Sequence, residues 1–158
     1  MNVNWLTSTR LKKLIITNAT STTQAAFLGI FAIDTLPQQI SSLPVLLVVN
    51  NDTSNLSGRH WKAIYISCQR QGEVFDSLAT PVSITLENWM NTFTNKWICS
   101  TLTIQHPISP SCGAFVLHYI LHRLRQTSLK SYTEKYFDPE LHVNETRIRR
   151  FVRTLKNE

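Results

Sequence analysis

The stretch Ser109-Pro-Ser-Cys112-Gly-Ala-Phe-Val-Leu117-His-Tyr-Ile-Leu121-His-Arg123 decides how the rest of the chain is read. Pro110 stops any earlier helix, and Ser111 is a candidate N-cap. Behind it, Ala114–Leu117 and Tyr119–Leu121 are apolar, and Arg123 and Arg125 suit a helix C-terminus. The pattern predicts a core helix from Cys112 to about Gln126. Cys112 then falls on its first turn, where the helix dipole and free backbone N–H groups favour a thiolate. Gly113 would let a substrate or another backbone approach closely. The competing reading of Cys112 is a small hydrophobe opening a buried helix, a common place for a free cysteine.

Upstream, Pro44 to Asn50 reads as a buried strand and Trp61 to Ser67 as a second. Gln69-Arg-Gln-Gly72 is a turn signal, and Glu73 to Asp76 returns as a third, antiparallel strand. Leu86, Trp89, Met90 and Phe93 recur at helical spacing, and Trp97 to Gln105 is loosely β-like. Toward the start, a short helix is expected from Trp5 to Ile16, then loop from Thr17 to Gln24. Phe27 to Leu36 is mixed and stops at Pro37. A last helix is expected from Asn144 to Leu155. Strands in the middle with helices at both ends predict an α+β fold, with 158 residues forming one domain (1–158).

Composition excludes several classes. Sixteen Lys and Arg against ten Asp and Glu leave a charge of +6, which permits an anionic partner without requiring one. No apolar run approaches the roughly 18–20 residues of a membrane span. The N-terminus lacks the charged, apolar, small order of a secretory signal. Three cysteines (Cys68, Cys99, Cys112) are too few for a disulfide scaffold. The expectation is an intracellular protein, not a secreted one, probing no membrane.

A nucleophilic cysteine needs a base, and the base an orienting group. Among five histidines, His60 stands at the loop-to-strand junction Gly58-Arg-His60-Trp61, and Asp76 ends the returning strand. A tight hairpin leaves Asp76 short of His60 in register, so twist or a bulge is expected to close the gap. Gln105, seven positions before Cys112, could join a backbone N–H in stabilising an oxyanion. Each residue alone reads equally as an ordinary surface group; the set His60, Asp76, Gln105 and Cys112 is chemically complete. His118 and His122 have metal-pair spacing, but no further cluster with ligand spacing accompanies them, and no metal is expected. His106 and His142 are given no role.

Gly58-Arg-His60-Trp61, Val74-Phe-Asp76-Ser77, Gln105 and Cys112-Gly-Ala-Phe115 together resemble the adenovirus-type cysteine proteinases (adenain) and their relatives that cleave ubiquitin-like proteins. Phe27-Leu-Gly-Ile-Phe31 and Asp34-Thr-Leu-Pro37 are similar to the adenain N-terminal region, so the resemblance runs from about residue 27 to 122. It implies a papain-like or adenain-like fold, with a central mixed or antiparallel sheet packed on the helix that starts at Cys112. It implies His60 as general base and acid, Asp76 as orienter, Cys112 as nucleophile and Gln105 as oxyanion donor, with Trp61 and Gly113 binding substrate.

Two departures from adenain are evident. Adenain usually has Glu where this chain has Asp76, whereas the ubiquitin-like-protein branch has Asp there. The chain is also shorter, with only Cys99 in the region of the cysteine that takes the activating viral peptide; Cys68 reads as inert. The implied activity is a viral or virus-like-transposon maturation protease. It would act as a monomer, in the virion and host nucleus, on capsid or core precursors at Gly-containing sites. No cofactor is required for the chemistry; the resemblance allows activation by a viral peptide or by DNA held through its phosphates, and the competing reading of Arg147, Arg149, Arg150 and Arg153 is that they simply solvate a terminal helix. The alternatives are an isopeptidase acting on ubiquitin-like modifiers, an acetyltransferase on the same triad, and a basic DNA-binding or scaffold protein without catalysis.

Overall fold

The computed structural model describes residues 6–19, 25–56 and 59–155. Trp5, Gln24 and Gly58 lie outside the described residues. Five strands form one mixed sheet in the order β1-β2-β3-β4-β5: β1 (Ala26–Ala32), β2 (Val45–Asn50), β3 (Trp61–Ile66), β4 (Gln71–Phe75) and β5 (Lys96–Cys99). The inner three strands are antiparallel to one another, whereas β1 runs parallel to β2 and β5 parallel to β4. Five helices accompany them: α1 (Ser8–Asn18), α2 (Ile84–Phe93), α3 (Cys112–Arg123), α4 (Leu129–Tyr136) and α5 (Leu141–Thr154).

The side-chain period of a strand divides the core in two. Leu46, Val48, Ala63, Tyr65 and Phe75 face α1, α3, α4 and α5. Val45, Leu47, Val49, Ile64, Ile66 and Val74 face Leu86 and Met90 of α2. Both faces of β2 and β3 are thereby covered, which is why Val45–Val49 reads as an unbroken apolar run. Glu73 ties the layers together. It accepts the Tyr119 hydroxyl at 2.6 Å and the Leu129 N–H at 3.2 Å, and Arg123 lies 3.0 Å away.

The predicted central strands, the hairpin, α2 and α3 stand where the pattern puts them; four expectations need correction. Phe27–Leu36 contains the edge strand β1, whose alternation is broken by a register shift between Phe27 and Gly29, with Gly29 at φ +135°. The β-like reading of 97–105 holds only to Cys99; beyond it the Ile104 and Gln105 N–H groups donate to the Ser77 carbonyl rather than to a strand. The last helix starts at Leu141, and Asn144 is buried inside it, bonded to Asp138 and the Ile104 carbonyl. The fourth is α4, which the apolar spacing does not announce because only Leu129 and Tyr132 of it are buried.

Gly72 belongs to β4 rather than to the turn. A Cβ there would lie 2.6 Å from Met90 Cε and 2.9 Å from both Thr94 Cγ2 and Trp97 Cβ. Gly72→Ala is therefore expected to destabilise by about 1–3 kcal/mol through overpacking, measured as a lower urea midpoint at unchanged m.

Candidate active site

The start of β3, the end of β4 and the head of α3 meet at one end of the inner strands. In the hairpin, Ala63 pairs with Phe75 and Ile66 with Gly72 without a register shift. Continuing that register puts Lys62 opposite Asp76 and leaves His60 two positions farther along the same face. The gap is closed without the bulge expected from sequence: the side chains reach diagonally, and His60 Nε2 donates to Asp76 Oδ1 at 2.6 Å.

Asp76, 2% exposed, is held from every side. Its Oδ1 also accepts the Leu78 N–H at 2.9 Å. Its Oδ2 accepts the Thr80 N–H at 3.0 Å and the Thr80 hydroxyl at 2.5 Å, and the Lys62 ammonium lies 3.2 Å from it. Burial alone would raise its pKa, but the bonds to His60, Thr80 and Leu78 and the His60 charge hold it well below the usual carboxylate range. His60 moves the other way. Burial lowers its pKa, yet hydrogen bonds to Asp76 and Cys112 and their charges outweigh burial and raise it to about 9. With Nε2 on Asp76, Nδ1 is the ring nitrogen left for Cys112.

Cys112 opens α3 and is 8% exposed, its Sγ 4.0 Å from the Arg59 carbonyl. Trp61 is half-buried against the core beside α3. Gly113 is buried: a Cβ there would stand 3.4 Å from Leu6 Cβ and 4.0 Å from Trp61 Cε3. The neighbour over Gly113 is thus the chain's own Leu6, with which a substrate backbone would have to share the space. Ser111 occupies the cap position without capping. At φ −90° and ψ 9° its side chain makes no cap bond, because its hydroxyl donates to Glu145 Oε2 at 2.6 Å.

Gln105 is buried and its amide has a single orientation. Oε1 accepts the Ser77 hydroxyl at 2.5 Å, and Nε2 donates to the Ser109 carbonyl at 2.6 Å. A carbonyl can only accept, so nitrogen must face Ser109, and one N–H remains for another acceptor. Consecutive residues at the end of β4 therefore hold two candidate groups, Asp76 on His60 and Ser77 on Gln105.

Glu145, on α5 and 7% exposed, was not visible in the sequence as a site residue. Besides Ser111 it accepts the Ser109 hydroxyl at 3.0 Å and the His106 N–H at 3.2 Å, clamping the loop that leads into Cys112. The available signal was faint: a lone acid among arginines, 33 residues beyond the cysteine. Lys62 was equally hidden, because strand alternation beside Trp61 says nothing about a buried cation.

The other histidines are occupied locally. His118 Nδ1 meets the Tyr132 hydroxyl at 2.7 Å, and His122 Nδ1 meets the His118 carbonyl at 2.8 Å. Among the described residues no group of three His, Cys, Asp or Glu side chains is placed to hold a metal. His106 and His142 are exposed, as are Cys68 and Cys99. None of the described helices is long and apolar enough to cross a membrane.

His118 has a consequence for stability. Burial, with the charges of His122 and Arg147, lowers its pKa from 6.5 to about 3. The unfolded chain binds this proton below about 6.5 and the folded chain only near 3, so stability falls as pH drops through that window. The slope is up to about 1.4 kcal/mol per pH unit. His118→Gln is expected to flatten this acid limb in urea titrations between pH 7 and 4.

Comparison with solved structures places this geometry in a fold. The pS273R protease of ASFV matches at TM-score 0.51 and 23% identity over 66% of this chain and 42% of its own. A second structure of the same protease matches at TM-score 0.51 and 20% identity, over 66% and 41%. The central domain of the uncharacterized Lpg1148 protein from Legionella pneumophila matches at TM-score 0.55 and 15% identity, over 94% of this chain and 96% of its own. No family model and no curated protein matches the sequence. The chain spans about two fifths of the ASFV protease. Its mixed sheet with flanking helices is the fold it shares with that viral protease.

Proposed function

We propose that this chain is a cysteine endopeptidase of the viral maturation type. The single observation behind the proposal is His60, hydrogen-bonded to a buried carboxylate that five donors surround and close enough to Cys112, the residue that opens α3, for both to raise its pKa. Below about pH 9 His60 is an imidazolium, able to pair with a Cys112 thiolate. The thiolate attacks the scissile carbonyl carbon, and its oxygen becomes an oxyanion facing the free N–H of Gln105 and the Cys112 N–H, which has no intrahelical acceptor. Collapse breaks the C–N bond while His60 gives its proton to the leaving amine. His60, now neutral, deprotonates a water that attacks the thioester; the acid leaves, and the thiolate and imidazolium return. Structural similarity to a viral protease supports the protease reading; capsid or core precursors cut at Gly-containing sites are the proposed substrates, on the resemblance of the sequence to adenain.

A peptide-aldehyde or vinyl-sulfone probe ending in Gly tests this. It is expected to label Cys112 at least 100-fold faster than the more exposed Cys68 and Cys99, read by peptide mass mapping. Equal labelling of the three would overturn the reading. Cleavage of ubiquitin-like conjugates, with Gly-containing precursor peptides left intact, would reassign the chain to the isopeptidase class, which the Asp at position 76 resembles.

A further inference from the structure

We infer that the recess between β1, the loop after β2 and Trp61 is a substrate subsite for a basic side chain, with Asp52 as its counter-ion. The inference rests on the protease reading above and adds the chemistry of one substrate position. The recess encloses about 300 Å³, the small end for a ligand site and enough for one long side chain. Its walls include Ile30, Phe31, Asp52, Leu56 and Trp61, and among the described residues no Lys or Arg lines it.

Asp52 Oδ2 is buried and has no hydrogen-bond partner. The residue is nonetheless fixed: its N–H donates to Asn50 Oδ1 at 2.9 Å, and its carbonyl accepts the Ile33 N–H at 3.2 Å. The neighbouring acid, Asp34, is fully engaged, taking the Ser54 N–H at 2.7 Å and the Ser54 hydroxyl at 2.8 Å. Asp52 is therefore the carboxylate left over, partly stripped of water without compensation, a state that costs free energy until a donor arrives. None of the described Lys and Arg residues lines this recess, so we take the missing cation as one that a partner supplies.

The position singles out the substrate as that partner. Trp61 follows His60, and its ring edge stands beside Gly113, which follows Cys112. The recess thus shares Trp61 with the head of α3, next to the candidate nucleophile. An indole wall and the apolar Leu56 suit the stem and head of an Arg or Lys whose charge reaches the carboxylate.

The test uses a fluorescent peptide series around a Gly scissile residue, with one Arg, norleucine or Glu walked through four positions on each side. Binding to the Cys112→Ala chain is read by polarisation, and cleavage by the wild type in parallel. At one position Arg is expected to bind about tenfold tighter than norleucine and to raise kcat/KM similarly. In Asp52→Asn the Arg preference should collapse to about one, and in Asp52→Lys it should invert toward Glu. Asp52→Asn should also hold or raise Tm, since Oδ2 has no partner to lose; a marked fall in Tm would assign Asp52 a structural role and overturn the subsite. Cleavage without any Arg preference would reject the subsite and leave the protease standing. Absence of both cleavage and Cys112 labelling would reject the protease reading, and the subsite with it.

Discussion

Asp76→Asn is expected to lower kcat/KM by about 10³-fold or more while Cys112→Ala abolishes turnover, both measured on a Gly-containing peptide. Asn keeps the size of the side chain but not the charge that orients His60 and stabilises its imidazolium, the change that costs about 10⁴-fold in the Ser-His-Asp template. The pH profile separates this cause from misfolding. In the wild type the alkaline limb should fall near pH 9, as the proton needed by the leaving amine is lost. Without the Asp76 carboxylate, burial dominates, and the limb should move down toward the ordinary His value of about 6.5 or below it. An unmoved limb would show that Asp76 does not govern His60.

Lys62 complicates that experiment in a useful way. Its buried ammonium lies 3.2 Å from Asp76 Oδ2 and 3.5 Å from the Pro81 carbonyl. Removing the carboxylate strands a buried cation, at a cost of about 3–5 kcal/mol. Asp76→Asn should therefore be less stable as well as slow. Adding Lys62→Met removes the stranded charge, so the double variant should recover most of the stability and none of the rate. Stability also carries the signature of His60. Its raised pKa means that the bond to Asp76 contributes fully below about 6.5, and that contribution fades as pH rises through about 9.

Legibility in the sequence followed how local each physical signal was. The run Val45–Val49, the hairpin and the helix behind Cys112 obey short periods, and they stand in the structure as expected. The edge strand β1 was hidden because one extra residue, Leu28, which has no partner on β2, interrupts its alternation just before Gly29. His60 and Asp76 could be paired in advance because the hairpin joins them, although the mechanism of closure differed: a diagonal reach rather than a bulge. Glu145 could not be foreseen, since its partners lie 34–39 positions away and only the packing of α5 on α3 brings them together. Ser111 illustrates the same limit. Its local role as a cap is the one sequence favours, and a buried carboxylate from a distant helix displaces it.

That displacement predicts the second large effect. Glu145→Ala removes one acceptor group from the Ser109 hydroxyl, the Ser111 hydroxyl and the His106 N–H at once. Of these three residues only Ser111 is buried, and its hydroxyl can still bond that of Ser109, so a loss of about 1–3 kcal/mol is expected in urea unfolding. The effect on rate is separate and travels through one chain of contacts. Ser109 offers its carbonyl to Gln105 Nε2, and the freed loop leaves the remaining Gln105 N–H without a fixed aim. A misplacement of about 1 Å can cost about 10²-fold, so kcat should fall by that order with KM little changed, because the donor acts on the oxyanion and not on the bound ground state. Glu145→Gln keeps an oxygen for the two serine hydroxyls and should recover most of the rate. Gln105→Ala should lose a similar factor alone but add little to Glu145→Ala, since both remove the same aimed donor. If the two losses multiplied instead, Glu145 would be acting on the reaction by some route other than the loop it clamps.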